Sequence, residues 1–434
     1  MKRTILIILS FLISCGLNAQ VLKLEDAVSL ALANNYDIIV AKQSTELTKK
    51  GIHAGAVGLL PTVDANSAGS YNYSVTNQEF NLASIPPTKN QEASQNNQSA
   101  KVSAYYLLFN GGARLRSFDK LKASGELSEI QTKITIESAL IEVVNRYYEV
   151  VRLSKQLDLI KSSMDLSKDR LVRVKTNYEF GNIGKIEMFN AQVDYNNDSS
   201  NYVNAKLTKR TAMNELNYLL GRKISTDFEV EDKIELPDLL KSDDYVVKAK
   251  ANNTSIVLSN IQLNMVELDK KIYKSNFMPT LTTNLDYGYI GSASDVGVFN
   301  SSSSLGYTGA LSLKWNLFDG MKKRKSLEQA KINIEVNNTK QQQTLLNIEK
   351  EVQNYHDALS MNIQLIQLEN QNLEVALLNL RRSKELYENG TITNIQFRQA
   401  QLNLLQTQNK INNYKYVCKV YEYQLLRMTN ELVK

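Results

Sequence analysis

The sequence predicts a mainly α-helical protein with a small β-strand portion, built from two copies of one structural unit. Two segments of fifteen residues, YEFGNIGKIEMFNAQ from Tyr178 and YENGTITNIQFRQAQ from Tyr387, share seven identical positions. Each follows about 65 residues without proline, which is typical of a very long helix. Earlier in each half, apolar and polar residues alternate with a period of two, which indicates strands.

The repetition extends over nearly the whole chain. Residues 31–35 (ALANN) match residues 249–253 (AKANN) at an offset of 218. The motif Leu-Phe-x-Gly at 108–111 then matches 317–320 at an offset of 209, which also relates the two tyrosine segments. Similarity at a fixed period indicates a duplicated unit. We therefore expect a first repeat at 22–221, a linker at 222–242 and a second repeat at 243–434.

Residues 1–19 have the features of an export signal. Lys2 and Arg3 form a basic start, residues 4–13 an apolar run, and residues 17–19 (LNA) a small-residue cleavage site. The apolar run is too short for a membrane-spanning helix. An alternative interpretation is a lipoprotein signal that ends before Cys15, which would then be acylated. Both interpretations predict that the mature protein leaves the cytoplasm.

The charge and hydropathy patterns exclude two classes of protein. The formal net charge is +6, with basic and acidic residues interspersed along the chain. Nucleic-acid binding needs a clustered basic face, so we expect no nucleic-acid partner. After the signal, no apolar stretch approaches the roughly 20 residues of a membrane-spanning helix. If the protein crosses a membrane, it must therefore do so as strands.

The sequence gives almost no support for catalysis. His53 and His356 are isolated, and Cys418 is the one thiol outside the signal. No metal-ligand spacing, phosphate-binding glycine loop or nucleophile motif is present in the sequence. We therefore expect no enzymatic activity, no metal and no cofactor.

Each repeat begins with a helix that we expect to end at Pro61 or Pro279, because proline stops helices and favours extended backbone. The predicted strands are 63–75, about 101–109, 281–289 and 305–318. The polar segments 76–100 and 291–304 between them are predicted as loops. One face of these strands is apolar and includes tyrosines and Trp315, as a lipid-facing barrel with a wet lumen requires. A soluble sheet with one buried face fits the alternation equally well.

The opposite face carries the polar residues that would line such a lumen. They are Asp64, Asn66, Asn72, Asn284 and Asp286.

The proline-free segments predict helices of roughly 100 Å, at 1.5 Å per residue. Leu157, Met164, Leu171 and Tyr178 recur every seven residues in the first repeat, which predicts a seam against partner helices. A second helix returns from each tyrosine segment, to about Leu220 in the first repeat and about Leu432 in the second. Gly181 and Gly390 are therefore expected at turns between two long helices, where glycine adopts backbone angles that other residues avoid.

Four strands cannot close a membrane barrel, which needs about eight or more. An open sheet edge cannot lie in lipid, so membrane-embedded strands would require association of several chains. The helices are about three times as long as a hydrocarbon core of about 30 Å is thick, so they would project from it.

This combination resembles the TolC-like outer-membrane efflux and secretion proteins. The resemblance covers nearly all of the mature chain, including LKLEDAVSLALANN from Leu22, the prolines before the strands, the Phe-x-Gly turns and both Tyr-x-x-Gly motifs. It implies a mainly α-helical fold with a small transmembrane β-barrel portion. Three copies would supply four strands each to one 12-stranded barrel, and their coiled-coil helices would form an α-barrel across the periplasm.

The resemblance also implies partners and a location. The homotrimer would lie in outer-membrane lipid of a bacterial cell, with its helices in the periplasm. It would meet a periplasmic adaptor protein that is joined to an inner-membrane pump, and would export small molecules, metal ions or polypeptides. The alternative from the residues alone is a structural periplasmic coiled-coil protein without a pore, lipid-anchored through Cys15.

By this resemblance, the repeated tyrosine segments are two helical tips that close the periplasmic mouth and bind the adaptor. Tyr387 of the second tip would contact Glu187 of the first. Ile392 takes the place of a gate arginine in the best-studied member, and Gln396 and Gln399 take the places of two aspartates. We therefore expect a gate that closes by hydrogen bonding and packing, without a ring of acids. The residues predicted to bind the adaptor are Gly181, Asn182, Ile183, Gly390, Thr391 and Ile392.

Overall fold

The computed structural model describes residues 21–79, 81, 84, 86–231, 233–295 and 299–432. The predicted export signal and Cys15 lie outside the described residues. Within the described part of the chain, the protein is mainly α-helical, with a smaller amount of strand.

Both halves of the described chain contain two shorter helices, two long strands and two long helices in the same order, and the first half also contains two short strands and a 3₁₀ turn. The first half contains β1 (Val21–Leu22), α1 (Leu24–Asn34), α2 (Tyr36–Gly51), a 3₁₀ turn (Ala54–Val57), β2 (Thr62–Gln78), β3 (Thr88–Phe109), α3 (Ala113–Glu179), α4 (Lys185–Leu219) and β4 (Glu229–Val230). The second half contains α5 (Ser242–Asn252), α6 (Thr254–Ser275), β5 (Thr280–Ser294), β6 (Ser301–Lys314), α7 (Lys322–Glu388) and α8 (Asn394–Met428).

Three of the four pairs of corresponding helices have equal lengths; the exception is α2, with 16 residues, against α6, with 22. α3 and α7 each contain 67 residues, which is about 100 Å of helix, as the sequence predicted. α4 and α8 each contain 35 residues, and α1 and α5 each contain 11. α3 and α4 form a first helical hairpin, and α7 and α8 form a second.

The described chain divides into two compact units. One comprises the chain up to Ser44, Glu129–Leu258 and the chain from Gln341. Its described residues form three buried apolar clusters: one is centred on α3, one on α7 and α8, and a small one is shared by α3 and α4. The other comprises Thr45–Ser128 and Ser259–Lys340 and contains the larger sheet.

Two short strands that the sequence did not predict lie in the helical unit. β1 and β4 pair in parallel, with Val21 opposite Glu229 and Leu22 opposite Val230. The buried Tyr147 on α3 donates its hydroxyl to the Leu22 carbonyl at 3.0 Å. This small sheet therefore links the start of the described chain to the long helix α3.

The larger sheet is antiparallel, in the order β2-β3-β5-β6, so β2 and β6 are its edges. Residues directly opposite each other in antiparallel strands share a face of the sheet. The observed register places an apolar set on one face: Val63, Tyr71, Tyr73, Val102, Leu285, Tyr287, Tyr289, Leu305, Tyr307 and Leu311. It places a polar set on the other: Asp64, Asn66, Asn72, Lys101, Ser103, Asn284, Asp286 and Thr308.

The prediction that helices end at Pro61 and Pro279 was wrong, because both end earlier. α2 ends at Gly51 and a 3₁₀ turn follows, since glycine is a poor helix former. α6 ends at Ser275, four residues before Pro279. A proline ring clashes with the carbonyl four residues earlier, so its effect reaches back into the preceding turn. Both prolines directly precede a strand.

The predicted loops and strand ends also need correction. The segment 76–100 is largely strand, because β2 runs to Gln78 and β3 begins at Thr88. Pairing between these strands satisfies the backbone, so their polar side chains do not prevent strand formation. β6 begins earlier than predicted, at Ser301, and ends at Lys314, so Trp315 lies just beyond it.

Candidate functional site: the helical tips

Each repeated tyrosine segment forms a turn that stops one long helix. After α3, Gly181 has a φ angle of 73°, in the left-handed region that glycine adopts at low cost. The Gly181 amide donates to the Tyr178 carbonyl, and the Asn182 amide donates to the Asn177 carbonyl, each at 2.9 Å. These two bonds form a Schellman motif, which satisfies carbonyls that a helix end leaves without partners.

The second tip repeats this geometry after α7. Gly390 has a φ angle of 72°, and its amide donates to the Tyr387 carbonyl at 3.1 Å. The Thr391 amide donates to the Leu386 carbonyl at 2.9 Å. Both copies of the repeated segment therefore end a long helix and reverse the direction of the chain.

The two return helices begin differently. At the start of α8, the Thr393 hydroxyl accepts from the Gln396 amide, and the Gln396 side chain accepts from the Thr393 amide at 2.9 Å. This capping box satisfies two amides of the first turn. α4 begins after Gly184, which offers no side-chain cap, and carries the exposed Glu187 in its first turn. A negative charge is favourable at a helix N-terminus.

Tyr387 is half-buried and has aromatic and basic neighbours. Its ring stacks on Phe397, with centroids 5.1 Å apart and planes 9° from parallel. Burial raises the pKa of the Tyr387 hydroxyl, and the positive charges of Arg170 and Arg173 act in the opposite direction. Among the described contacts of Tyr387, none involves Glu187. The contact between Tyr387 and Glu187 therefore stays a prediction.

The other predicted gate positions carry no charge. Gln396 is used in the capping box, and the exposed Gln399 donates to Asn403 at 2.8 Å on its own helix. Ile392 is half-buried. These positions can therefore contribute hydrogen bonds and apolar contacts to a gate, but no ion pair.

The tips present both packed and exposed apolar residues. Ile183 packs against a small cluster of Leu171, Val174 and Ala191 within the first hairpin. Phe180 and Ile186 are 75% and 72% exposed. Among the other residues predicted to bind the adaptor, Ile392 is half-buried. The rest are exposed: Gly181, Asn182, Gly390 and Thr391.

A buried polar network above the tips connects the two hairpins and was not predicted. We call it the hairpin junction, and it consists of Ser163, Ser167, Asp198, Arg398 and Gln401. Arg398 donates to both Asp198 carboxylate oxygens at 2.6 Å each, and Ser167 donates to Asp198 at 2.5 Å. Gln401 donates to the Ser163 carbonyl at 2.8 Å.

The residues predicted to line a lumen share the polar face of the larger sheet. Asp64 and Asp286 both lie opposite Ser103, in one row across three strands. The Asp286 carboxylate accepts from Asn284 at 2.6 Å and lies 3.8 Å from the Lys101 ammonium. The sheet therefore presents a mainly polar surface opposite its apolar face.

Neither a metal-binding cluster nor a helix suited to cross a membrane is found among the described residues. No group of three or more His, Cys, Asp or Glu side chains is arranged to hold a metal ion in the described part of the chain. None of the described helices has a stretch of the length and apolarity needed to cross a membrane.

A sequence model of a protein family matches most of the chain and identifies its family. The model of outer membrane efflux proteins matches residues 27–222 and 245–431. The chain belongs to the outer membrane efflux protein family. This assignment confirms the resemblance found in the sequence. No curated protein matches the chain.

Solved structures agree with the family fold. The outer membrane channel CmeC of Campylobacter jejuni is 17% identical, with a TM-score of 0.80 over 95% of this chain and 86% of that chain. VceC of Vibrio cholerae is 15% identical, with a TM-score of 0.73 over 94% and 95%. The open-state MtrE channel of Neisseria gonorrhoeae is 15% identical, with a TM-score of 0.73 over 94% and 89%.

Membership in the outer membrane efflux protein family gives the location and general role. The chain is a component of an efflux channel in the bacterial outer membrane, with its helices in the periplasm, as predicted. The alternative of a structural coiled-coil protein without a pore is not favoured. The family consists of transport channels and is not an enzyme family.

Proposed function

We propose that three copies of this chain form one passive duct, in which the larger sheets close a 12-stranded barrel in the outer membrane. The observation that carries this proposal is the larger sheet, which has one apolar face, one polar face and two edge strands, β2 and β6. The two halves are then structural repeats, at 22–221 and 243–434, joined by the linker 222–242.

The sheet edges favour closure by other copies. An edge strand carries backbone groups without partners, and lipid cannot hydrogen bond to them. If β6 of one copy pairs with β2 of the next, a ring of three copies leaves no edge strand without a partner strand. Barrels of 8 to 26 strands span membranes, and 12 strands lie within that range.

Exposed apolar residues on the long helices also favour association. Met361, Leu365, Leu368 and Val375 on α7 are spaced by three, four or seven residues, and all are exposed. This spacing forms a seam of the kind that packs against a partner helix. In the proposed trimer, helices of a second copy cover the seam, and the helices together form an α-barrel.

In the barrel, the polar face would line a wet lumen that contacts cargo loosely. The lining residues would be Asp64, Asn66, Asn72, Asn284 and Asp286. This chain would supply a path and a gate, while an inner-membrane pump would supply energy. The cargo would be small molecules or polypeptides.

The tips would carry the gate and the adaptor-binding surface. Tyr387, Glu187, Gln396 and Gln399 would close the periplasmic mouth by packing and hydrogen bonding. The exposed Phe180 and Ile186, near the turn at Gly181, support contact with a protein partner, because exposed apolar groups favour association. The second turn, at Gly390, would contribute Thr391 and Ile392 to the same surface.

The fluorescence of Trp315 tests the barrel without any substitution, because it is the single tryptophan of the chain. Its side chain is 60% exposed, and its indole nitrogen donates to the Phe277 carbonyl at 3.1 Å. In vesicles with brominated acyl chains, the proposal predicts strong quenching of this fluorescence and a trimeric mass. Unquenched fluorescence from a fully membrane-bound sample would contradict it, because a soluble sheet would keep Trp315 away from lipid.

A further inference from the structure

Four consecutive basic residues, 322–325 (KKRK), begin the long helix α7. The side chains of Arg324 and Lys325 are 68% and 71% exposed. Glu328 pairs with both, at 3.4 and 2.8 Å, so one carboxylate serves two cations. Positive charge is unfavourable at a helix N-terminus, so this basic run does not stabilise α7 itself.

The matching turn in the first half of the chain carries fewer charges. At the offset of 209, Ala113 and Leu115 stand where the second half has Lys322 and Arg324. The counterparts of the other two basic residues are arginines, which donate hydrogen bonds to nearby backbone carbonyls. The turn therefore uses two cations at most, and the two additional charges before α7 are available to a partner outside the chain.

Exposed apolar side chains directly precede the basic run. Trp315, Leu317, Phe318 and Met321 are 60%, 80%, 79% and 52% exposed. Met321 has a φ angle of 70°, at the position where the first half has Gly112. Left-handed backbone is costly for a residue with a side chain, so the chain accepts this cost and still leaves the methionine exposed. Together these residues form an apolar surface beside a basic one.

The position of this surface follows from β6. The apolar face of the strand and the residue after it extend over 305–315, which matches the roughly 9–11 residues of a membrane-spanning strand. Serines occupy 301–304 at the other end of the strand. The helices lie in the periplasm, so in the proposed barrel the basic run lies at the periplasmic surface of the outer membrane, just beyond the hydrocarbon core.

We propose that Lys322, Arg324 and Lys325 bind the headgroups of anionic phospholipids at the periplasmic surface of the outer membrane. The lipid phosphates supply negative charge to the basic run, and the apolar residues before it enter the edge of the hydrocarbon. Basic clusters beside a membrane span attract anionic lipids, and aromatic residues favour the interface. The proposal rests on the proposed function, in which β6 lies in the membrane.

Lipid-specific quenching of Trp315 tests this proposal, because the single tryptophan of the chain lies beside the basic run. The full-length protein is placed in vesicles that contain phosphatidylglycerol and phosphatidylcholine in equal amounts, with bromine on only one of the two lipids. At low salt, we expect phosphatidylglycerol to bind near Trp315 about fivefold more strongly than phosphatidylcholine. High salt should remove most of this preference, because it screens the charges.

Two triple variants assign the preference to the basic run. The headgroup variant removes three cations and should be quenched equally by both lipids: Lys322→Gln, Arg324→Gln, Lys325→Gln. Lys323 is retained in it, because its ammonium donates to the Asn316 carbonyl at 2.9 Å. The control variant removes three cations from exposed positions farther along α7 and should keep the preference: Lys350→Gln, Arg381→Gln, Lys384→Gln.

The outcomes distinguish failure of the headgroup site from failure of the proposed function. The headgroup site is overturned if both lipids quench the wild type equally, if the headgroup variant keeps the preference, or if the control variant loses it. If neither lipid quenches Trp315 in a fully membrane-bound sample, the barrel fails, and the headgroup site fails with it.

Discussion

At the scale of single residues, two buried asparagines connect the shorter helices of each half of the chain to α4 or α8, the return helix of the same half. The Asn35 amide donates to the carbonyl of Leu219, the last residue of α4, at 2.8 Å, and its oxygen accepts from the amides of Asp37 and Ile38. Asn253 makes the equivalent bond to Met428, the last residue of α8, at 3.0 Å. Each asparagine therefore caps the start of one helix and donates a hydrogen bond to a carbonyl at the end of another.

Asn35→Ala should destabilise the protein by about 2–3 kcal/mol, because it removes an N-cap and leaves a carbonyl without a donor. Asn253→Ala should have a similar effect in the second repeat. The measurement is thermal unfolding followed by the circular-dichroism signal of the helices. Asn34→Ala is the matched control, because Asn34 is exposed, and it should shift the midpoint little. Equal shifts for Asn34 and Asn35 would contradict this role.

The same scale explains which site residues the sequence could and could not predict. The glycines of both tips and the repeated asparagines were visible because each occurs twice at a fixed offset. The hairpin junction was not visible, because Asp198 and Arg398 are 200 residues apart and such residues on helices are usually solvated. Ser163, Ser167 and Arg170 do lie on one helical face, but polar residues at helical spacing do not indicate a buried face.

At the scale of elements, the two faces of the larger sheet differ strongly in polarity. Tyr307 and Thr308 are neighbours on β6 but belong to the apolar and polar faces, opposite Tyr287 and Asp286. A sheet in the outer membrane would turn these faces to lipid and to water. Neighbouring substitutions should therefore have opposite consequences.

Tyr307→Arg should destabilise the assembled protein by about 2–4 kcal/mol, the range for a cation on the lipid face of a membrane barrel. Thr308→Arg should be tolerated, because it faces water and lies opposite Asp286. The measurement is the heat stability of the oligomer extracted from outer membranes. If both variants assemble equally well, the assignment of the apolar face to lipid is wrong.

The elements also show where prediction from sequence was limited. The long helices were predicted almost to the residue, because α3 and α7 lack proline and end at a glycine turn. The strands were predicted too short in the first repeat, because β3 is rich in Asn, Gln and Ser from Thr88 to Lys101. Its pairing with β2 and β5 stabilises the strand, and that long-range contact is absent from local composition.

At the scale of the whole molecule, the family assignment and the sheet support one account. A single chain supplies four strands with two edges, and long helices with exposed apolar seams. The proposed closed trimer would pair the edges and cover the seams with further copies of the chain. Since Ile392, Gln396 and Gln399 carry no charge, the proposed gate would close by packing and hydrogen bonding.

The central claim is that this protein is a duct whose gate lies at the helical tips. Single-channel conductance in planar bilayers tests it most directly, for the wild type and for the double variant Tyr387→Ala, Glu187→Ala. The account predicts low conductance for the wild type and a clear rise for the double variant. Equal, finite conductance would move the gate away from the tips. The absence of conductance in both, with folding and insertion verified, would contradict the duct itself.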